Sequence, residues 1–340
     1  MTSGFANVLN RLRVPVVIAA TGAYYGLDIY KSKSAKNTLV EIKLDGGTIP
    51  GITSPTPSIQ PPLQEIIDEV KSKLNLPKIK KDALNFYGTP FPIPQIHGFY
   101  SSYSQIDVFL PDYLNLTNSE QLTGTAIRNL VKLLGYDCDT LTKEDWLTPD
   151  GVSLINSFFL SKRAKKFLVT QTSYSNFNYE YFFKHLIFGL TFTAGLAALG
   201  LIEERMKGTA AAKLVVTLFM LVPVISVYFI MSNHAKMICE SKGIAQAVSR
   251  NMLSPRELHK LKDADVIDEE MLLGGIEYYT KLSQREKALL RLFNTGFSLS
   301  GMVDQDGEPL KLFVADLPKK EVIALLEKVH SLMDEKSSAK

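Results

Sequence analysis

Cysteine, histidine and tryptophan are scarce in this chain: its 340 residues hold two cysteines, five histidines and one tryptophan. Cys138 and Cys239 stand far apart in sequence, so no CxxC metal or redox element can be written. Two free thiols are the expectation. No two of the histidines, His97, His185, His234, His259 and His330, fall four residues apart, which excludes the helical HExxH zinc pair. Also absent are the GxSxG elbow, the Walker-type phosphate loop and the GxGxxG dinucleotide turn. A formal net charge of +3 is too small to argue for nucleic acid. The residues therefore point to no catalytic centre, cofactor, metal, nucleic acid or small-molecule substrate. Paired acids such as Glu203-Glu204 and Asp268-Glu269-Glu270 read as solvated faces.

What the chain does have is a long apolar stretch from His185 to Met231. Leu186–Ile202 and Leu214–Met231 are uncharged apolar runs joined by a charged link, Glu203 to Lys213. A bilayer is crossed by roughly 17–25 apolar residues in a helix, so each run suffices. Gly189, Gly195, Gly200 and the Ala194–Ala198 pair offer small faces for close helix packing. Pro223, in the second run, is tolerated where a neighbouring helix satisfies the freed carbonyl. The pattern predicts a transmembrane helical hairpin with both flanks on one side of the membrane; a buried hairpin in a soluble core is the rival.

Residues 1–36 place Arg11 and Arg13 before an apolar segment, Val14–Tyr30, with no acid before Asp28. Such a segment is similar to a mitochondrial import signal; a retained first span is the expectation, with an interfacial helix or a cleaved secretory signal as the alternatives. Val40, Ile42 and Leu44 alternate as in a short strand, and Gly46–Pro62 reads as a linker. Leu63, Ile66, Ile67, Val70 and Leu74 predict an amphipathic helix ending before Pro77. Ala83–Tyr87 and Gln105–Leu110 are strand candidates separated by a proline-rich turn region. Thr117 and Glu120 form a capping box for a helix with Ile127, Leu130 and Leu134. Thr148-Pro149 starts another helix, continuing through SLINSFFLSKRAKKFLVTQTSYS towards the membrane. Its basic group, Lys162, Arg163, Lys165 and Lys166, reads as a solvated face, with anionic lipid heads as the alternative. Beyond the hairpin, Asn233–Arg250 reads as an emerging helix and Ser254–Glu257 as the start of another. Gly274-Gly275 reads as a junction where a helix restarts. Asp304–Glu308 reads as a turn between the extended pieces Phe297–Val303 and Leu310–Val314, and Pro318 opens a last helix.

The fold class expected is α+β and mostly helical: a soluble domain formed from both flanks of the hairpin, plus the N-terminal apolar segment. The division is 1–36 targeting or anchor segment, 37–184 soluble α+β part, 185–231 hairpin, 232–334 helical part packing with 37–184, and 335–340 disordered tail.

Two resemblances bear on function. The order of strands, a helix FLSKRAKKFLVTQTSYS, an apolar hairpin and a helix MICESKGIAQ resembles HtpX-type membrane zinc peptidases. Aligned with their HExxH helix, this chain puts Gln171, Thr172 and Ser175 where His, Glu and His would stand, and Glu240 where a third ligand would be. The resemblance implies a peptidase scaffold with a degenerate metal site. More of the chain resembles the transmembrane protein 177 family: LSKRAKKF, LLGGIEYYTKL, and the Asp-Gly turn followed by Leu317-Pro318 before the last helix. That resemblance implies a multi-pass mitochondrial inner-membrane protein that associates with a chaperone of cytochrome c oxidase subunit 2. Partners are then membrane lipid and proteins of respiratory-complex assembly. Gly274, Gly275, Glu277, Tyr278 and Tyr279 are the candidate partner-binding residues; Gly189, Ala194, Gly195, Ala198 and Pro223 are the candidate hairpin-packing residues. For Gly274, Gly275, Tyr278 and Tyr279 the alternative is a helix junction packed in the core. Basic residues crowd the flanks more than the link, leaning them towards the matrix, whereas a retained import signal would face them to the intermembrane space.

Overall fold

The computed structural model describes residues 59–74, 76, 78–97, 106–117, 124–175, 180–205, 210–249, 267–293, 297–298, 301–302 and 318–338. The first element is a helix, α1 (Pro61–Lys73), whose opening prolines cost no hydrogen bond because the first turn has none to give. Leu63, Ile66, Ile67 and Val70 recur at helical spacing and are all buried. A short helix, α2 (Lys78–Asp82), leads into the strands β1 (Leu84–Thr89), β2 (Gln95–His97) and β3 (Ile106–Pro111). Their order is β1-β3-β2, with β1 parallel to β3 from Leu84↔Ile106 to Thr89↔Pro111 and β2 antiparallel to it. The central strand buries Ile106, Val108, Phe109 and Leu110, as a strand enclosed on both sides must. The proline-rich segment read as turns thus holds a strand, β2. Pro92 and Pro94 lie just before it, so its own N–H groups remain available for pairing.

Next come α3 (Gly124–Leu133), followed by Gly135 at φ 86°, and α4 (Pro149–Asn156). The Thr148 hydroxyl caps α4 by accepting the Gly151 N–H at 3.2 Å. Helix α4 does not run on: the chain leaves it at Ser157 and restarts as α5 (Lys162–Ser175). Every residue of α5 from Ala164 to Tyr174 is buried, so α5 is the centre of the domain rather than a lead into lipid.

Two long helices follow, α6 (Glu180–Arg205) and α7 (Ala210–Val248), then α8 (Glu269–Phe293). The expected emerging helix, Asn233–Arg250, is present as the C-terminal part of α7, which ends at Val248. Gly274-Gly275 lies inside α8 and restarts nothing. Strands β4 (Phe297–Ser298) and β5 (Gly301–Met302) pair antiparallel, so the extended piece Phe297–Val303 folds back on itself. The last helix, α9 (Lys319–Ser338), includes most of the segment expected as a disordered tail. The N-terminal anchor, the 37–44 strand, Glu120 of the capping box, the 254–257 helix start and the 304–308 turn lie outside the described residues.

A continuous hydrophobic core joins the two flanks of the apolar helices. Leu63, Leu110, Leu130 and Phe167 come from one side, and Ile244, Leu272, Tyr279 and Leu326 from the other. The described chain is mostly helical with a small sheet.

Candidate functional site: the central seam and the apolar arm

Helices α5 and α8 approach so closely because two glycines let them. A Cβ on Gly274 would stand 2.5 Å from the Arg163 carbonyl oxygen, and one on Gly275 would stand 2.9 Å from the Phe167 ring. Tyr278 and Tyr279 then pack their rings on Phe167 at centroid distances of 6.2 and 6.1 Å. Glu277 completes the seam. Its carboxylate accepts the Ser161 N–H at 2.9 Å, the Ser161 hydroxyl at 2.5 Å and the Arg163 Nε–H at 3.3 Å. Ser161 precedes the first turn of α5, where a negative charge is favoured. Burial pushes the Glu277 carboxyl up, but the bonds from Ser161 and Arg163 and the nearby Lys281 outweigh it and hold its pKa below the ordinary value. Gly274, Gly275, Tyr278 and Tyr279 are buried, and Glu277 is spent inside the chain. These residues, read as a partner surface, are an internal stitch.

The four zinc-peptidase positions meet a mixed outcome. Gln171 and Glu240 are brought together through Tyr279: the Gln171 Nε2 donates to the phenol oxygen at 2.7 Å, and the phenol donates to Glu240 Oε1 at 3.3 Å. Burial first, and Glu240 second, raise the Tyr279 phenol well above its usual pKa, which keeps it a donor. The Thr172 and Ser175 hydroxyls instead donate to the carbonyls of Leu168 and Gln171 within α5. One carboxylate, one amide and two hydroxyls committed to their own helix do not make a zinc shell. Among the described residues no three His, Cys, Asp or Glu side chains cluster as metal ligands. Both cysteines are buried free thiols.

The basic group on α5 divides: Lys162 and Arg163 are exposed, as a solvated face requires, but Lys165 and Lys166 are not. Lys165 and Lys166 are each 7% exposed. Lys165 Nζ donates to the Leu116 carbonyl at 2.8 Å, and Lys166 Nζ sits 2.7 Å from Glu69 and 3.0 Å from Glu270. Burial, helped by the charge of Lys281, lowers the Lys165 pKa. The unfolded chain then binds more protons than the native one between that lowered value and the ordinary lysine range, so stability rises with pH across that window. Lys165→Met is expected to raise stability at neutral pH by about 1 kcal/mol and to flatten that alkaline rise. Urea unfolding at a series of pH values measures both.

Sequence reasoning missed Arg285, 4% exposed. Its guanidinium lies 4.2 Å from the Phe158 ring centroid and 4.9 Å from that of Tyr113, and it donates to the Ser157 carbonyl at 3.0 Å. Nothing local marks it, because its three partners are distant in sequence.

The second feature is the pair α6–α7. Phe188 meets Tyr228 at a ring distance of 5.6 Å, and a Cβ on Gly195 would stand 2.6 Å from Val224. The numbering of these contacts runs in opposite directions, so the helices are antiparallel. Of the small residues expected at this contact, Gly195 makes it, Gly189 and Ala198 are half-buried, and Ala194 and Pro223 face outward. The outer surface is apolar: Leu190 is 62% exposed, Val215 64%, Phe219 78%, Val222 63% and Phe229 58%. Among the described residues one stretch, Val222–Val248, is long and apolar enough to cross a membrane by length and composition; Leu186–Gly200 is apolar but shorter. Of the two crossings expected from sequence, one meets that measure among the described residues.

No family model, curated protein or solved structure matches this chain.

Proposed function

We propose that this chain is a non-catalytic, multi-pass scaffold of the mitochondrial inner membrane. In this reading it associates with a chaperone of cytochrome c oxidase subunit 2 during respiratory-complex assembly. The observation that carries the membrane part is the contrast between the two halves of α7. Its C-terminal residues Ile244, Ala247 and Val248 are buried in the domain core, while Val222, Val227, Phe229 and Ile230 stand bare. Exposed apolar area costs about 25 cal/mol per Å² in water, and lipid removes that cost. A contiguous bare apolar surface of this kind marks a membrane or protein contact. The resemblance to the transmembrane protein 177 family supplies the compartment and partner class.

The non-catalytic part draws on the seam, where Gln171 and Glu240 are tied across helices through Tyr279 and the Thr172 and Ser175 hydroxyls bond within α5. The rival reading, a membrane peptidase with a degenerate metal site, draws on the Gln171–Tyr279–Glu240 chain of hydrogen bonds. Metal analysis separates the two: the scaffold is expected to purify without stoichiometric zinc, and bound zinc with chelator-sensitive cleavage would favour the enzyme. The scaffold is further expected to retain respiratory assembly proteins after mild detergent extraction. Replacing the apolar faces of α6 and α7 with polyleucine is expected to lose them, and retention would place the partner contact elsewhere.

A further inference from the structure

A cleft of about 280 Å³ opens between α1, α5, the end of α7 and the start of α8. We propose that it binds a guanidinium group, carried by an arginine side chain of a protein partner or by a small guanidine. Hydrogen-bonding balance is the argument. Three carboxylates, Glu69, Asp268 and Glu270, face two ammoniums, Lys73 and Lys166. Lys73 and Lys166 both donate to one oxygen, Glu69 Oε1, at 2.7 Å, and Lys166 also reaches Glu270 Oε1 at 3.0 Å. The other oxygen of Glu69 and that of Glu270 take no bond from the described residues. On the α7 wall, Gln246 Oε1 is buried with no donor among the described residues. Asp268 Oδ1 is occupied by the Met271 N–H at 3.2 Å. Among the described residues acceptors therefore exceed donors, and a ligand that supplies donors and positive charge redresses both.

The chemistry selects among cations. A bare divalent ion would face the Lys166 ammonium at close range and finds no cluster of ligands among the described residues. Guanidinium is planar, weakly hydrated and carries five donors, so it can bridge carboxylates without displacing Lys166. Val70 and Leu74 line the same cleft and suit an aliphatic stem. The volume is at the lower end for small-molecule sites, the size of one side chain rather than a large ligand. Glu69, held at a pKa of about 2 chiefly by its hydrogen bond from Lys166, stays anionic at any physiological pH.

The test is calorimetric titration of the full chain in neutral detergent with two probes, agmatine and the peptide acetyl-Gly-Arg-Gly-amide. Saturable binding is expected, with the citrulline version of the peptide at least about tenfold weaker because it lacks the charge. Glu270→Gln is expected to weaken binding by about tenfold. Lys73→Gln is expected to strengthen it several-fold by releasing Glu69 Oε1, a gain that misfolding does not produce. Tighter binding of the peptide assigns a protein ligand, and tighter binding of agmatine assigns a small guanidine. Equal binding of the citrulline peptide, no saturable binding to protein that still unfolds cooperatively, or no gain in Lys73→Gln overturns the proposal.

Discussion

Gly274→Ala is expected to destabilise the chain by about 2–3 kcal/mol, near the upper end for inserting bulk into a packed interior. The sign is the informative part, because two effects oppose each other. Within an unobstructed helix, alanine is favoured over glycine by about 1 kcal/mol. Here the new methyl would stand 2.5 Å from the Arg163 carbonyl oxygen, 2.8 Å from its carbon and 3.2 Å from the Ala164 nitrogen. All three are backbone atoms, so no rotamer change relieves the clash; α5 and α8 must separate. That movement also pulls Glu277 from Ser161 and the Tyr279 ring from Phe167. Gly124→Ala, with nothing within 4 Å of the added carbon, is the matched control and is expected to change stability little or raise it. Chemical unfolding followed by circular dichroism reads both. A stabilised Gly274→Ala protein would show that the seam is looser than its geometry.

The triple substitution Val222→Asp, Ile225→Asp and Phe229→Asp is expected to release the chain from membranes into the soluble fraction on alkaline carbonate washing. These side chains are 63%, 41% and 58% exposed and lie on α7. Aspartate at the centre of a spanning helix costs about 2.5–3.5 kcal/mol per residue, which makes three prohibitive for one span. At exposed positions of a water-soluble protein the same changes stay within about 0.5 kcal/mol each. The two settings therefore differ by several kcal/mol. Wild-type protein in the carbonate supernatant, or an unaltered distribution of the triple variant, would remove the membrane from the proposed function.

What was legible in the sequence was local. The apolar spacing Leu63–Ile66–Ile67–Val70 marked α1, and the Thr148-Pro149 cap marked α4, since each is decided within one or two turns. What was illegible depended on distant partners. Gly274-Gly275 reads as a break by propensity, yet packing against Arg163 and Phe167 overrides propensity and requires glycine in mid-helix. Lys165 and Lys166 look like a wet face until Leu116, Glu69 and Glu270 are brought to them by the fold. β2 has three residues after a run of prolines, too few to show alternation. For the candidate site, the peptidase pattern pairs Gln171 with Glu240, but nothing local to Tyr279 marks it as the residue that joins them. Glu277 reads as a partner-binding residue, yet its hydrogen bonds go to Ser161 and Arg163 of the same chain.

The unbroken course of α7 has a mechanical corollary. From Met231, in its bare apolar portion, to Cys239, already buried, the helix advances about 12 Å at 1.5 Å per residue, and Pro223 lies outside that interval. The strut is therefore free of a proline hinge, and it sets the clearance between the apolar surface and the body of the domain.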